Sequence, residues 1–310
     1  MSTTGISRRT AMQMMGAGLV ALSLPPSLAM GRPSTAVKKT IPGTSEKLPV
    51  IGMGTWRTFN VGRDQALRDA RTEVLRAFFE HGGGMIDNSP MYGSAQSVLG
   101  EGLAKLGMPD TLFSADKVWT HDEDATRRQI AESAEHWGIE RFDLMKVHNL
   151  RAWEAHLDVL KQMKADGEVR YIGISTSHGR RHDQCARIME NHDIDFIQLT
   201  YNITHRQVEQ RLLPLAAERD IAVVANRPFD GGSLVKDLKA SHSLPEWAAE
   251  IDCGHWPAFL LKFIVSHPAV TCAIPATTQV EHMHENMAAG RGAMPDADTR
   301  QRMIDYVASL

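Results

Sequence analysis

Short apolar runs alternate with amphipathic helical stretches from Leu48 to the C-terminal Leu310. The first run, 48–56, ends in glycines and a tryptophan, and a helical stretch at 66–80 follows it. Strands that alternate with helices form a parallel sheet, because the helices cover its face. Eight such pairs without a break in composition predict an α/β fold, a single (β/α)8 TIM barrel at 48–310. An extra C-terminal helix is expected to open near Pro295.

The other element boundaries follow from apolar periodicity and from glycines and prolines. The later strands are predicted at 85–86, 111–117, 142–148, 169–174, 196–199, 221–225 and 270–274. The later helices are predicted at 95–106, 122–136, from Trp153 to a cap at Gly167, and at 180–190, 208–217, 256–266 and 280–289. The segment 231–254 is predicted to be a long irregular loop over the active face.

Residues 1–30 are interpreted as a twin-arginine signal peptide, followed by a polar linker at 31–47. Arg8 and Arg9 precede an apolar run at 11–24, and small residues near Ala29 suit a signal peptidase. The run is too short and too rich in glycine and alanine for a secure membrane span. The sequence therefore predicts export to the periplasm or beyond by the twin-arginine machinery, with a retained membrane anchor as the alternative.

Charge and cysteine usage exclude several classes of function. The net charge is −3 with both signs interspersed, so no basic stripe indicates nucleic-acid binding. Cys185, Cys253 and Cys272 are widely spaced and odd in number, which favours small buried residues. His178 and His182 are four residues apart, but they lack a third ligand at metal spacing, so no metal site is predicted. A monomer is the default expectation.

Two glycine-rich motifs are not interpreted as functional. Gly52-x-Gly54 lacks the third glycine of a dinucleotide fingerprint. The turn at 82–84 resembles the oxyanion-hole motif of esterases, but the chain has no G-x-S-x-G elbow, so a helix-to-strand turn is favoured. A hydrolase that uses a serine nucleophile or a metal therefore lacks its machinery.

Four polar side chains fall at the ends of the second, third and fourth predicted strands: Asp87, Tyr92, Lys117 and His148. Each alone could be a capped turn or a solvated strand end. Together at the carboxyl rim of a barrel, where active sites lie, they suit the reduction of a carbonyl group. A phenol can protonate the oxygen, the ammonium can stabilise the phenolate, and the carboxylate offsets the buried ammonium. A neutral imidazole can polarise the carbonyl.

These residues belong to an ordered set of motifs that resembles the aldo-keto reductase family over essentially all of 48–310. The motifs are Gly52-x-Gly54-Thr55-Trp56, Asp87-x4-Tyr92-Gly93, Lys117, His148, Gly173-Ile174-Ser175, Gln198-Leu199-Thr200-Tyr201-Asn202, and Ile274-Pro275-Ala276-Thr277 followed by Glu285-Asn286.

The resemblance implies Tyr92 as proton donor, Lys117 and Asp87 as the groups that tune it, and His148 as the group that orients a small carbonyl substrate. It also implies a nicotinamide cofactor extended across the barrel mouth, with its phosphate at a helix N-terminus. The positions matched to the cofactor are Gly54, Thr55, Asp87, Ser175, Thr176, Gln198, Asn226, Arg227, Ala276, Thr277, Thr278, His282 and Asn286. Trp56 and Trp119 fall near the rim, where they wall the substrate pocket or pack in the core.

Three departures from the family pattern concern the cofactor. Thr176 replaces the usual asparagine, and Asn226 stands where an aromatic ring usually stacks on the nicotinamide, leaving Tyr201 or Phe229 as substitutes. Ala276 and His282 stand where a lysine and an arginine commonly hold the 2′-phosphate of NADPH. The expected cofactor is NADPH/NADP, with NADH open. The altered platform also keeps open a cofactor-binding, redox-sensing or regulatory barrel with little turnover.

Overall fold

The computed structural model describes Met1 and residues 35–310, and Thr35–Leu310 form one compact unit. The predicted signal peptide at 1–30, with Arg8 and Arg9, lies outside the described residues. Residues 31–34 of the predicted linker also lie outside them.

Eight parallel strands form the barrel, as predicted. Their bounds are β3 Met53–Gly54, β4 Met85–Asp87, β5 Phe113–Val118, β6 Phe142–Val147, β7 Val169–Ser175, β8 Phe196–Thr200, β9 Ala222–Asn226 and β10 Cys272–Ala273. Each strand pairs with its neighbour in chain order from β3 to β10. A parallel bridge between Ile51 and Ala273 brings the beginning of the sheet against its last strand and nearly closes it.

Helices cover the outside of the barrel. Their bounds are α1 Gln65–Glu80, α2 Ala95–Lys105, α3 Thr126–Trp137, α4 Trp153–Ala165, α5 His182–Asn191, α6 Leu212–Glu218, α7 Ser233–Ser241, α8 Trp256–Val265, α9 Val280–Ala288 and α10 Ala297–Ala308. The last of these is the predicted extra C-terminal helix. Within the described part of the chain, none of the helices has the length and apolar character required to cross a bilayer.

The segment predicted as a linker contains an antiparallel hairpin from residue 38 onward. Its strands are β1 Lys38–Thr40 and β2 Lys47–Pro49, paired in the register Lys38↔Pro49. Ile41 and Leu48 of this hairpin are buried in the same cluster as the inward-facing barrel residues. The polar composition of the predicted linker conceals this hairpin, because Ile41 is the only buried side chain at 35–47.

The segment 231–254 is not the irregular loop that the sequence predicts. It holds the nine-residue helix α7 and a 3₁₀ turn at Glu246–Ile251. Only Leu238 of α7 is fully buried, while Leu234 and Val235 are half-buried. A helix with so narrow an apolar stripe leaves a weak periodic signal, which explains the error.

The strand period of two divides the barrel residues into an inner and an outer set. Apolar side chains fill the lower interior; they are Met85, Phe113, Ala115, Leu144, Phe196, Ala222, Val224, Cys272 and Ile274. The next inward positions toward the carboxyl ends are polar: Asp87 on β4, Lys117 on β5, Lys146 on β6 and Gln198 on β8. The packed base therefore supports a polar floor at the carboxyl end.

Candidate active site

A cavity of about 450 Å³ opens at the carboxyl ends of the strands. Thirteen of the residues predicted for the site line it: Gly54, Thr55, Trp56, Asp87, Tyr92, Lys117, His148, Ser175, Thr176, Gln198, Asn226, Arg227 and Ala276. The structure thus brings together all four predicted catalytic residues and most of the predicted cofactor positions.

Lys117 connects the carboxylate and the phenol at the floor of this cavity. Its Nζ donates to Asp87 Oδ2 at 2.7 Å and to the Asn88 carbonyl oxygen at 2.6 Å, and it lies 3.3 Å from the hydroxyl of Tyr92. Asp87 and Lys117 are almost wholly buried. A buried ion pair of this kind is held in place because the loss of either partner would leave the other charge uncompensated.

A short 3₁₀ turn, Pro90–Tyr92, places the phenol beside the lysine. Ser89 caps this turn by accepting from the Met91 N–H at 3.3 Å, and Pro90 supplies a φ suited to its first position. Gly93 ends the turn at φ 64° and ψ −123°, a conformation that L side chains rarely adopt. The sequence Ser-Pro-x-Tyr-Gly thus fixes the position of Tyr92 locally.

The surroundings of the Tyr92 phenol keep it protonated before any reaction begins. Burial raises the pKa of Tyr92 well above its usual value, and the charges of Asp87 and Asp116 raise it further. Burial also acts to raise the pKa of Asp87, but Lys117 and Lys146 outweigh it and hold that pKa below its usual value. Tyr92 is therefore a protonated phenol next to an ionised carboxylate.

His148 lies across from Tyr92, with the two rings perpendicular at a centroid distance of 5.9 Å. Its Nδ1 is 2.7 Å from Ser89 Oγ. Burial, together with the positive charge of Lys117, lowers the pKa of His148 to about 3. We assign the Ser89 hydroxyl as the donor to Nδ1, while its oxygen accepts from the Met91 N–H, and this assignment places the ring proton of the neutral imidazole on Nε2.

Ser175 and Gln198, both predicted to bind the cofactor, lie on the adjacent strands β7 and β8. The two residues are paired in register. Gln198 donates through Nε2 to Asp87 Oδ2 at 3.2 Å, while its Oε1 is buried without a partner among the described residues. Buried polar atoms are ordinarily satisfied, so an orphaned amide oxygen on a cavity wall fits a ligand that carries an N–H donor.

The Thr176 and Asn226 side chains are engaged with the protein itself. Thr176 Oγ1 donates to the Arg180 carbonyl oxygen at 2.7 Å, and Asn226 Nδ2 donates to the Thr176 carbonyl oxygen at 2.8 Å. Thr200 Oγ1 donates to Asn226 Oδ1 at 2.7 Å. These bonds fix the loops after β7 and β9 relative to each other.

Five of the predicted residues do not line the cavity. Thr277 and Thr278 precede α9, His282 lies in its first turn and Asn286 near its end; Thr278 and His282 are exposed and Asn286 is buried. Trp119 stands under the Arg151 guanidinium, 4.5 Å from its ring centroid, and its backbone N–H donates to Gln129. Of the two tryptophans predicted for the substrate pocket, only Trp56 contributes to the wall.

Tyr201 and Phe229 are the two aromatic residues considered as substitutes for the ring that usually stacks on the nicotinamide, and they lie in different surroundings. Phe229 lines the cavity. Tyr201 points outward from β8 into the core beneath the helices, where its hydroxyl accepts from Arg300 at 2.7 Å. The period of two distinguishes them, because Tyr201 has the outward parity of Leu199.

Sequence reasoning missed Lys146 and Asp116 next to the predicted catalytic group, and Arg57 and Arg180 at the cavity wall. Strand parity could have identified Lys146, since it shares the inward face with Leu144 and His148. No pattern pointed to Arg57 or Arg180, because loop residues do not show the sequence periodicity of strands or helices. Across residues 35–310, no group of three or more His, Cys, Asp or Glu side chains is arranged to hold a metal ion.

Comparison with known proteins identifies relatives for this arrangement. The profile of the Aldo/keto reductase family matches residues 50–302. The methylglyoxal reductase YeaE of Escherichia coli is 25% identical over 247 residues, which cover 78% of this chain and 85% of that protein. An NADH-specific methylglyoxal reductase of Escherichia coli is 24% identical over 325 residues, covering 84% of this chain and 96% of its own length.

A solved structure shares the fold. The crystal structure of an aldo/keto reductase from Klebsiella pneumoniae in complex with NADP and acetate superimposes with a TM-score of 0.73 at 24% identity. The match covers 87% of this chain and 95% of that one. At this level of identity the likeness establishes the barrel fold.

Proposed function

The chain belongs to the aldo/keto reductase family, and from that premise we propose that it is an NAD(P)H-dependent reductase of aldehydes or ketones with Tyr92 as the proton donor. Members of this family are oxidoreductases that act on carbonyl groups. The observation that carries the proposal is the contact of Lys117 Nζ with both Asp87, at 2.7 Å, and the Tyr92 hydroxyl, at 3.3 Å, within a cavity that His148 also lines.

The residues present fit a nicotinamide cofactor. The orphaned Gln198 Oε1 suits a carboxamide N–H, and Ser175 lies beside it on the neighbouring strand. A Cβ at Gly54 would meet the Ile274 carbonyl oxygen at 3.0 Å, so glycine lets β3 and the segment 274–276 approach each other closely at the cavity wall. Arg57 and Arg180 also line the cavity and make no ion pair within the described part of the chain, which suits the cofactor's phosphates.

The chain's own residues then divide the remaining work. The cofactor, when bound, would supply the hydride. Tyr92 donates the phenolic proton to the oxygen on which negative charge develops, and its raised pKa keeps that proton available at neutral pH. Neutral His148 donates from Nε2 and orients the carbonyl oxygen. Lys117, anchored by Asp87, stabilises the phenolate that remains.

The choice between NADPH and NADH rests on the start of α9. Ala276 and His282 supply no permanent positive charge there, while Thr277 and Thr278 supply hydroxyls. We propose NADPH as the cofactor, with NADH as the alternative; one relative is named as NADH-specific. Separate titrations with NADPH and NADH, followed by tryptophan fluorescence, distinguish the two.

Substitution Tyr92→Phe tests the proton donor. We expect the variant to bind the cofactor normally and to lose carbonyl reduction by about 10²- to 10⁴-fold in kcat, the range for a positioned acid. Tyr306→Phe is the matched control, because its hydroxyl donates to Ser243 far along the chain from the site. Full turnover in Tyr92→Phe, with an aromatic aldehyde as substrate, would refute the assignment.

A redox-sensing or regulatory barrel with little turnover is the second candidate. The observation in its favour is that the Thr176 and Asn226 side chains, although both residues line the cavity, donate hydrogen bonds to carbonyl oxygens of the protein itself. The same titrations decide between the two functions. Tight cofactor binding without turnover of a broad set of aldehydes and ketones by the wild-type protein would favour the sensor.

We also propose that the protein is exported by the twin-arginine machinery and acts as a monomer. The support for export is the Arg8–Arg9 pair followed by the apolar run at 11–24. In cell fractions, Arg8→Lys/Arg9→Lys should retain the full-length chain in the cytoplasm while the wild type is processed and exported. The same distribution of the wild type and the variant between the cell fractions would contradict export. The monomeric state is tested separately, by size-exclusion chromatography of the purified protein.

A further inference from the structure

Two buried charged residues, Lys146 and Asp116, have no part in the mechanism above. Both are fully buried, at 0% relative exposure, and both flank the Lys117–Asp87 pair. Lys146 lies on β6 directly in register with Lys117 on β5. Two lysines side by side in a closed barrel repel each other strongly unless negative charge separates them.

Asp87 provides that charge and is held on both oxygens. Lys146 Nζ donates to Oδ1 at 2.8 Å, while Lys117 Nζ donates to Oδ2 at 2.7 Å. Gln198 Nε2 also donates to Oδ2, at 3.2 Å. With both oxygens engaged the carboxylate cannot rotate, so the direction from Lys117 to Tyr92 is fixed.

Lys146 acts through these contacts and not on a substrate. Its ammonium belongs to the floor beneath the cavity and does not line it. Chemistry on a bound carbonyl, such as imine formation, is therefore closed to it, and its role is one of position and charge.

Asp116 balances the additional positive charge from the other face of β5. Its Oδ2 accepts from Gln96 at 2.9 Å and from the indole N–H of Trp137 at 2.8 Å, and its Oδ1 accepts from the Lys117 N–H at 2.8 Å. All three donors are neutral. A buried carboxylate without a cation in contact depends on the field of nearby charges, which here are Lys117 and Lys146.

We propose that Lys146 is a positioning residue that fixes Asp87, and that Asp116 compensates its charge, so that these four buried groups, Asp87, Asp116, Lys117 and Lys146, act as one neutral unit that aims Lys117 at Tyr92. The inference rests on the proposed function for its kinetic consequence, but the charge coupling itself is independent of turnover.

The unit also titrates near neutrality. Burial lowers the pKa of Lys146 to about 8, with Asp87 and Asp116 acting to raise it and Lys117 to lower it. His148 and Cys272 are the other titratable groups that its charge affects. Burial raises the pKa of Asp116 to about 6. Asp116 and Lys146 are therefore both charged only between about these two pH values, and the Lys146 charge is lost as the pH rises through the upper one.

The test is a double-mutant cycle with Lys146→Met, Asp116→Asn and the combined variant in the whole protein, with Lys236→Met on α7 as the surface control. We expect Lys146→Met to lower kcat by up to about 10²-fold, the loss caused by misplacement of about 1 Å, while cofactor affinity stays within about twofold. The combined variant should recover part of this loss, because the charges again balance. The alkaline decline of wild-type kcat near pH 8 should be missing in Lys146→Met.

The second readout is the thermal unfolding midpoint of the four proteins in the cycle: the wild type, the two single variants and the combined variant. We expect the combined variant to be less destabilised than the sum of the two single variants, since each single change leaves an unbalanced buried charge. Additive midpoints together with an unchanged kcat and pH profile in Lys146→Met would overturn the proposal. If the wild type reduces no carbonyl compound, the proposed function fails, and the midpoints alone decide whether the four charges are coupled.

Discussion

At the scale of single residues, the site is defined by which protons are held and which are free. Tyr92 keeps its proton because burial and two carboxylates oppose the phenolate. His148 gives up its second proton because burial and Lys117 oppose the imidazolium. The same buried environment thus makes Tyr92 a donor with a proton to transfer and His148 a neutral donor that orients the substrate.

The hydroxyl of Ser89 is predicted to set the tautomer of His148. Ser89→Ala removes the 2.7 Å contact to Nδ1, and with it the preference for a proton on Nε2. Loss of one neutral hydrogen bond is worth about 0.5–1.5 kcal/mol, so kcat should fall by about 2- to 10-fold. Ser309→Ala at the last helix is the control, and steady-state kinetics is the measurement. Equal rates in both variants would contradict this role.

The dependence of kcat on pH below neutrality provides a second prediction, which concerns His148. Since the pKa of His148 is lowered to about 3, the imidazole stays neutral at mildly acidic pH, and its contribution is lost only as the pH falls through about 3. Normalised kcat profiles of wild type and His148→Gln should therefore coincide between about pH 5 and 7. A wild-type decline near pH 6.5 that His148→Gln lacks would show that the imidazole titrates normally.

At the scale of elements, the inward face of the strands carries the charged groups of the site, and the outward face contacts the helices. Inward positions place Asp87, Lys117 and Lys146 above a base of apolar side chains, and outward positions such as Asp116 contact the helices. The Tyr92 hydroxyl reaches the lysine only because a capped 3₁₀ turn follows β4 directly. A shift of that turn would separate the phenol from Lys117 without disturbing either strand.

Gly93→Ala is predicted to cause such a shift. Gly93 has φ 64°, and a Cβ there would clash with the Asn60 side chain, whose Oδ1 accepts from the Ser94 N–H at 3.0 Å. Strain of this kind costs about 1–3 kcal/mol, so kcat should fall together with the unfolding free energy. Gly107→Ala is the matched control, because its φ is 76° but a Cβ there meets nothing within 4 Å. Equal effects of both substitutions on kcat would show that the clash is irrelevant to the site.

At the scale of the whole molecule, the hairpin of β1 and β2 closes the base of the barrel. Ile41 and Leu48 pack against Met85, Phe113 and the other inward residues. Lys39 Nζ donates to the His267 and Val270 carbonyl oxygens, both at 2.7 Å. The described compact unit therefore begins before the first barrel strand.

Truncation is predicted to reveal this contribution. A chain that starts at Thr35 should unfold cooperatively like the full-length protein, because 35–310 form one compact unit. A chain that starts at Val50 loses two buried aliphatic side chains, each worth about 1.5–3 kcal/mol, and its unfolding midpoint should fall by about 10 °C. Circular dichroism during heating measures both. Identical midpoints would mean that the hairpin does not stabilise the barrel.

Much of the architecture could be predicted from local pattern. The number, type and order of the barrel strands follow from apolar runs and glycine punctuation, and the structure confirms them. The convergence of Asp87, Tyr92, Lys117 and His148 followed from the rule that strand ends share one rim, and these residues do line one cavity. The errors fall where the local signal is weak: the hairpin at 38–49, which polar residues conceal, and α7, which buries only Leu238.

What the sequence determined by itself is the arrangement set by short-range periodicity: eight strands, their inward faces and the rim to which their ends lead. Only the tertiary structure decided which charges meet there, because contacts between strands depend on the register of the closed barrel. That register pairs Lys117 with Lys146 and places Asp87 between their ammonium groups. Burial of this group then raises the pKa of Tyr92 and lowers that of His148, an effect of desolvation that arises only when distant segments pack together.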